Sequence, residues 1–209
     1  MRAPRLLLLL ALVLSLTAQQ NLTAQQKPLP DGLYAVFETS MGTFKARLYE
    51  KDTPIAVQNF VGLAQGTKPW LDPQTRKMVR RPLYNDIIFH RVVPGTVIQA
   101  GDPTGTGKHN CGFTIRDEFL PGLRFDRPGK LAMGSTGAPD SAGCQFFFTA
   151  IPMQQWDGKY TIFGTVVEGE DVVDRIANVR TVDEKPVTPV KLNSVLIERV
   201  GPEPKSRKK

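Results

Sequence analysis

Apolar and polar residues alternate along residues 33–49 in the manner of two β-strands. The two runs are L-Y-A-V-F-E-T, from Leu33 to Thr39, and T-F-K-A-R-L-Y, from Thr43 to Tyr49. A connection as short as Ser40-Met-Gly42 between such runs predicts a β-hairpin. Further strand-like runs cover residues 129–134, 145–150, 161–167 and 192–199.

Two other stretches have the period of an α-helix. Thr53 and Pro54 are favourable N-cap and first helical residues, and Gly66 is a suitable stop. The second stretch, Glu170 to Val179, begins with two acidic residues that complement the helix dipole. The apolar faces comprise Val57, Phe60, Val61 and Ala64 in the first helix and Val172, Val173, Ile176 and Ala177 in the second. Many short strands with two helices predict a mainly β protein, a barrel with helix-plugged ends.

The stretch I-I-F-H-R-V-V-P-G-T-V-I-Q-A-G-D runs from Ile87 to Asp102. Its two apolar runs are separated by Pro94-Gly95, which predicts either paired strands or one bent strand. Arg91 and Gln99 interrupt the apolar pattern. From the pattern alone, a functional role for Arg91 and a solvated charge at a strand edge are equally good explanations.

The first eighteen residues differ from the rest of the chain. Arg2 and Arg5 precede an apolar run from Leu6 to Leu14, and Ala18 ends the segment. This order is typical of a secretory signal peptide, and the run is short for a membrane span. We therefore expect a signal peptide at 1–18 and a flexible leader at 19–31. The mature protein would be periplasmic or extracellular without stable membrane insertion; an uncleaved anchor is the alternative.

The excess of basic over acidic residues lies mainly at the two ends of the chain. The 209 residues suit one domain with a sizeable core, and the formal net charge is +7. Removing two arginines in the signal segment and four basic residues in the tail, 202–209, leaves +1. A nucleic-acid-binding face is therefore not predicted. No heptad repeat or additional apolar face is present, so a monomer is expected.

Neither a phosphate-binding loop nor a metal site is predicted. Five residues separate Gly101 from Gly107 where the phosphate-loop motif has four, and His109 stands where Ser or Thr is needed. The histidines and cysteines lack the spacing of metal ligands, so no cofactor is expected. His90 is most simply a core histidine. In the basic, proline-containing loop 67–86, we expect Trp70 to pack the loop down rather than contact a partner.

Three motifs occur in a recognisable order along the chain. They are F-H-R-V-V-P-G-x-x-I-Q-x-G-D-P, G-x-Q-F-F-F-T and W-D-G-K-Y-T-I-F-G. Together they resemble the cyclophilin family of peptidyl-prolyl isomerases, and the resemblance extends from about Gly32 to Val200. It implies a closed eight-stranded antiparallel β-barrel capped by two α-helices, with the domain at 32–201. It also implies catalysis of rotation about X–Pro bonds in proline-containing peptides and unfolded protein clients.

The resemblance also assigns residues to the site. Arg91 matches the catalytic arginine, Gln99 the residue that bonds the substrate backbone, and Phe147 the floor for the proline ring. The matching substrate-binding positions are Thr96, Val97, Met133, Gly134, Ser135, Gln145, Gln155, Trp156 and Tyr160.

Several positions depart from the pattern of the family. Thr96 and Val97 replace the usual Phe and Met, Gln155 replaces a Trp, Trp156 a Leu and Tyr160 a His. We expect isomerase activity to be retained, although a smaller pocket wall can lower its rate. The alternative is a non-catalytic module or chaperone that binds proline-containing segments on the same fold.

The chain has two cysteines, Cys111 and Cys144. An even number in an exported protein allows a disulfide. The resemblance implies that the two lie near each other beside the active site, and we hypothesise that they pair. Two free thiols remain the alternative.

Overall fold

The predicted hairpin is the first structural element of the described chain. In the computed structural model, which describes residues 28–203, β1 (Gly32–Thr39) pairs antiparallel with β2 (Gly42–Leu48). Phe37 and Phe44 lie opposite each other with stacked rings 4.8 Å apart. The predicted signal peptide, most of the leader and residues 204–209 of the tail lie outside the described residues.

A single antiparallel sheet contains most of the strands. Besides β1 and β2 it comprises β5 (Ile87–Ile88), β6 (Arg91–Val93), β7 (Val97–Ala100), β8 (Lys130–Met133), β9 (Phe146–Thr149), β10 (Ile162–Glu168) and β13 (Lys191–Val200). Two ribbons lie apart from it, β3 (Trp70–Leu71) with β4 (Met78–Val79) and β11 (Thr181–Val182) with β12 (Lys185–Pro186).

The strand order is β5-β13-β1-β2-β10-β8-β9-β7-β6, and this corrects one detail of the expected barrel. Within residues 28–203 the sheet has nine strands rather than eight, and no ladder joins its two edges. The edge strands β5 and β6 are consecutive in the chain, separated only by Phe89 and His90. The curled sheet is therefore an open half-barrel whose two edges are joined by a bend in one stretch of chain, and the expected hydrogen-bonded closure is corrected. The mainly β, two-helix fold is confirmed.

Helix α1 (Pro54–Ala64) begins at the predicted proline, but its cap differs from the expected one. The Thr53 hydroxyl makes no capping bond and donates instead to the Tyr49 carbonyl. The carboxylate of Glu118 accepts from the amides of Ile55 (3.1 Å) and Ala56 (2.9 Å). A negative group there satisfies free amides and complements the helix dipole, so a distant loop supplies the cap.

Helix α2 (Glu170–Ala177) has the expected amphipathic face. Its buried residues are Val172, Val173, Ile176 and Ala177. This face packs toward β2, β6 and β7. Within residues 28–203, no helix has both the length and the apolar character needed to cross a bilayer.

The three consecutive phenylalanines of β9 divide between two apolar clusters. Phe146 and Phe148 lie in the main core, where both rings contact Phe37. Phe147 belongs to a smaller cluster on the other face of the strand. Successive strand residues point to opposite faces, so the packing of the barrel interior directs Phe147 outward.

Loop 67–86 is held down by its tryptophan, as predicted. The Trp70 side chain is 1% exposed, and its indole N–H donates to the Arg81 carbonyl at 2.9 Å. The Arg81 guanidinium covers the indole ring and pairs with Asp72. Trp70 and Arg81 are therefore both engaged in packing the loop.

Cys111 and Cys144 are joined as a disulfide with Cα atoms 6.1 Å apart. The bond links the loop after β7 to the residue before Gln145, at a separation of 33 residues. Both cysteines are buried. The disulfide therefore ties two segments that border the candidate site described below.

We expect the double variant Cys111→Ala/Cys144→Ala to lose about 3–4 kcal/mol of unfolding free energy, because an open loop of this length adds chain entropy to the unfolded state. Urea unfolding measures the loss. Thiol titration of the denatured wild type without reductant should find no free thiol, and two thiols after reduction serve as the control. Two free thiols without reductant would contradict the pairing.

Candidate active site

A row of side chains crosses five neighbouring strands on the outer face of the barrel. Arg91 pairs with Gln99, and Gln99 with Phe147. Phe147 pairs with Ala132, and Ala132 with Ile162. Residues directly opposite each other in antiparallel strands share a face. Strand register therefore gives the row a charged end at Arg91, a polar centre at Gln99 and an apolar end at Phe147, Ala132 and Ile162.

The polar end of the row is held by a chain of hydrogen bonds. Arg91 Nη1 donates to Gln99 Oε1 at 3.3 Å, and Gln99 Nε2 donates to Gln145 Oε1 at 2.8 Å. Gln145 Nε2 then donates to the carbonyls of Gly107 (3.0 Å) and His109 (3.2 Å). The three side chains are therefore ordered before any ligand arrives.

The apolar end of the row is a small aromatic floor. Phe147 is 4% exposed, and Phe125 lies parallel to it at 6.1 Å between ring centroids. Trp156 (5.5 Å) and Tyr160 (5.3 Å) meet the Phe147 ring edge to face. Edge-to-face contacts are favoured by the ring quadrupoles, so this arrangement gives the floor a fixed shape.

A polar cleft of about 170 Å³ adjoins the glutamines of the row. Gln99, Gln145, Gly134 and Ser135 contribute to its walls. The Gly134 amide donates to the Gln145 carbonyl at 2.8 Å, which fixes the end of β8 against the residue before β9. The remaining wall residues are Gly107, Lys108, His109, Asn110, Thr136, Ser141, Gly143 and Cys144.

The loop after β7, whose spacing does not match a phosphate-binding motif, is organised by an aspartate. The Asp102 carboxylate accepts from the Thr104 amide (2.6 Å), the Thr106 hydroxyl (3.2 Å) and the His109 amide (3.3 Å). Burial alone would raise the pKa of Asp102, but hydrogen bonds from the hydroxyl and amide of Thr104 and from the His109 amide hold the pKa below its ordinary value. The loop is thus folded around a carboxylate, which would repel a phosphate.

His90 lies behind the site, buried as expected. It is 6% exposed, and neither ring nitrogen has a hydrogen-bond partner in the described chain. Burial lowers the pKa of the imidazole from its ordinary 6.5, although the Asp102 carboxylate and the nearby Gln145 side chain oppose the shift. A neutral ring therefore separates the Arg91 strand from the Asp102 loop.

The family of the chain follows from comparison with known proteins. The family model described as cyclophilin type peptidyl-prolyl cis-trans isomerase/CLD matches residues 34–197. The chain belongs to the cyclophilin family. It is a peptidyl-prolyl cis-trans isomerase.

Named relatives agree with this assignment. Peptidyl-prolyl cis-trans isomerase B of Streptomyces anulatus is 42% identical over 79% of this chain and 97% of its own length. Peptidyl-prolyl cis-trans isomerase A of Mycobacterium tuberculosis is 40% identical over 78% of this chain and 91% of its own. A Cryptosporidium parvum cyclophilin, solved in the presence of the dipeptide Ala-Pro, has a TM-score of 0.69 and 30% identity over 80% of this chain and 99% of its own.

Most residues assigned by resemblance come together in this cyclophilin. Arg91, Gln99 and Phe147 share the row, Val97 lies in its apolar cluster, and Trp156 and Tyr160 border it. The Thr96 hydroxyl turns back to the Pro94 carbonyl at 3.1 Å. Gln155 is exposed, with its amide nitrogen 3.7 Å from the Met153 sulfur.

Met133 is the exception among the assigned residues. Its side chain is 1% exposed and lies in the main core. Strand alternation explains this placement, because Ala132 takes the outer face of β8 and leaves the next residue to the inner one. The Met133 side chain therefore lies apart from the row, and its assignment to substrate binding stays a prediction.

Several residues of the site were not predicted. Ala132 and Ile162 follow from strand alternation once the register is known. Phe125 and Met153 join the floor cluster from loops tied by a backbone bond of 2.8 Å. Glu184 accepts a hydrogen bond from Arg91 Nε at 2.5 Å, and no motif pointed to it.

We expect His90 to make stability pH-dependent. Because its pKa is lowered in the folded protein, the unfolded chain takes up the proton first as pH falls. Relative to His90→Leu, the wild type should lose unfolding free energy below about pH 6.5. The loss should level off once the folded protein is also protonated.

Urea unfolding of both proteins between about pH 5 and pH 7.5 measures this difference. Both proteins keep the other titratable groups, and Asp102, whose pKa is lowered, stays ionised in both over this range, so these contributions largely cancel. A constant difference across the range would contradict the buried neutral imidazole.

Proposed function

We propose that this isomerase acts on X–Pro bonds of proteins outside the cytoplasm, with Arg91 as the donor to the prolyl nitrogen. The observation that carries the assignment is the row in which a fixed guanidinium and an aromatic floor are separated by one strand. A proline ring on Phe147 would bring its nitrogen toward Arg91. The presence of Ala-Pro with the Cryptosporidium relative supports proline as the occupant.

The reaction requires little chemistry beyond this arrangement. Amide resonance gives X–Pro rotation a barrier of roughly 18–20 kcal/mol. As the bond twists, the prolyl nitrogen becomes pyramidal and gains a lone pair that can accept a hydrogen bond. A positioned guanidinium binds that state better than either planar isomer, and such differential binding accelerates the step. No covalent bond is broken, so a nucleophile is not needed.

The glutamines are assigned to the peptide backbone. Gln99 lies between the guanidinium and the floor, and Gln145 lines the adjoining cleft. A peptide that crosses the row would meet amide donors and acceptors on both sides of its proline. We propose that Gln99 holds the substrate backbone and that Gln145, with the backbone of Gly134 and Ser135, aligns the preceding residues.

Substitution of Arg91 tests the assignment. We expect Arg91→Ala to lower kcat/KM for an Ala-Pro tetrapeptide by roughly 10²–10³, the usual cost of removing one preorganised donor. Arg175→Ala, which removes an exposed helical ion pair on α2, is the control and should match the wild type.

The measurement is the rate of cis-to-trans exchange by the mature domain. A fully active Arg91→Ala would refute Arg91 as the donor. A wild type that binds the peptide but only matches the spontaneous rate would instead favour the peptide-binding module.

The extracytoplasmic location rests on the sequence of residues 1–18 and on the disulfide. Disulfides persist mainly in oxidising compartments such as the periplasm or the extracellular space, and Cys111–Cys144 is buried within the fold. We propose that the mature enzyme is a monomer that assists folding of exported, proline-containing clients.

If the protein is exported and the signal peptide at 1–18 is cleaved, the mature protein begins just after Ala18. N-terminal sequencing of protein from the extracytoplasmic fraction should find this start. Leu9→Arg interrupts the apolar run and should retain the uncleaved chain in the cell. Leu22→Arg, in the leader, is the control and should be exported normally. An uncleaved chain in membranes would support the anchor alternative.

A further inference from the structure

Glu184 contacts the strand of Arg91 at two points. Its side chain accepts from Arg91 Nε at 2.5 Å, and its carbonyl accepts from the Val92 amide at 2.7 Å. Both contacts bridge a separation of about ninety residues along the chain. Two surface charges that met by chance would form the side-chain contact alone, without the backbone hydrogen bond from Val92.

The turn that carries Glu184 has a defined shape. Asp183 (φ 49°) and Glu184 (φ 60°) are both left-handed and connect β11 to β12, a two-residue hairpin. Positive φ at both central residues is the geometry of a type I′ turn, which matches the twist of a hairpin. A further bond from the Val187 amide to the Arg180 carbonyl closes the base of the ribbon. Glu184 is therefore presented by a constrained element.

The guanidinium is consequently held from two directions. Gln99 accepts from Nη1, and Glu184 accepts from Nε. The side chains of Arg91 and Glu184 are 42% and 46% exposed, so water screens their attraction. A contact of this kind contributes little to folding, but it restricts the rotamers of a long, flexible side chain.

We propose that Glu184 is a positioning residue for the isomerase reaction, which fixes the Arg91 guanidinium beside the proline floor. The inference rests on the proposed role of Arg91 as donor. Glu184 acts through Arg91 and does not touch the substrate. Its effect should therefore appear in kcat, because a misplaced donor weakens transition-state binding more than peptide binding.

Three variants separate this role from a structural one. Glu184→Ala removes the acceptor and should lower kcat about fivefold with KM nearly unchanged, the scale of one exposed charged contact. Glu184→Gln keeps an oxygen at the same reach and should retain at least about half of the wild-type kcat. Asp183→Asn removes the charge of the neighbouring turn residue but keeps a side chain that tolerates positive φ, and should match the wild type.

A double-mutant cycle with Arg91→Ala supplies the decisive readout. If Glu184 acts through the guanidinium, adding Glu184→Ala to Arg91→Ala should lower kcat no further. Equal loss in both backgrounds would overturn the proposal, as would a Glu184→Ala variant with wild-type kcat. Equal falls in kcat and melting temperature for the Glu184 and Asp183 variants would show a merely structural turn. An inactive Arg91→Ala beside a fully active Glu184→Ala would refute this inference and leave the role of Arg91 intact.

Discussion

Strand register in the barrel is the constraint on which the site depends. Phe146 and Phe148 are buried in the aromatic core, each worth about 1.5–3 kcal/mol on burial. A slip of one residue in β9 would expose both and turn Phe147 inward. The burial that stabilises the barrel therefore also keeps the floor on the outer face, opposite Gln99 and in line with Arg91. Fold stability and site geometry have the same physical origin.

The loop after β7 completes the site beside the row, and several contacts hold this loop in place. The disulfide holds the segment after β7 against the residue before Gln145, and Asp102 folds that segment around its carboxylate. Gln145 then bonds two carbonyls of the same loop. The cleft wall consequently has little freedom to move independently of β9. Preorganisation of this kind lowers the entropy that a bound peptide would otherwise cost the protein.

The sequence predicts the parts of this structure that depend on local pattern. Local pattern predicts the hairpin and the strands β8, β9, β10 and β13, and the order of three motifs indicates Arg91, Gln99 and Phe147. Contacts between distant loops have no such signature. Glu118 replaces Thr53 as the cap of α1, and Glu184 reaches Arg91 from a remote turn. A motif match also does not tell which face of a strand a residue occupies, and the Met133 side chain packs in the core and not in the row.

The exposure of the Arg91–Glu184 pair suits the role proposed for its arginine. A buried pair would attract more strongly, but it would cost desolvation and hold the guanidinium away from the substrate. In water the attraction is weak, so in the proposed reaction the positioned guanidinium can still donate to a twisting prolyl nitrogen. The pair restricts where the guanidinium lies without competing strongly for its charge. For a reaction that breaks no bond and needs one donor in one place, position contributes more than interaction strength.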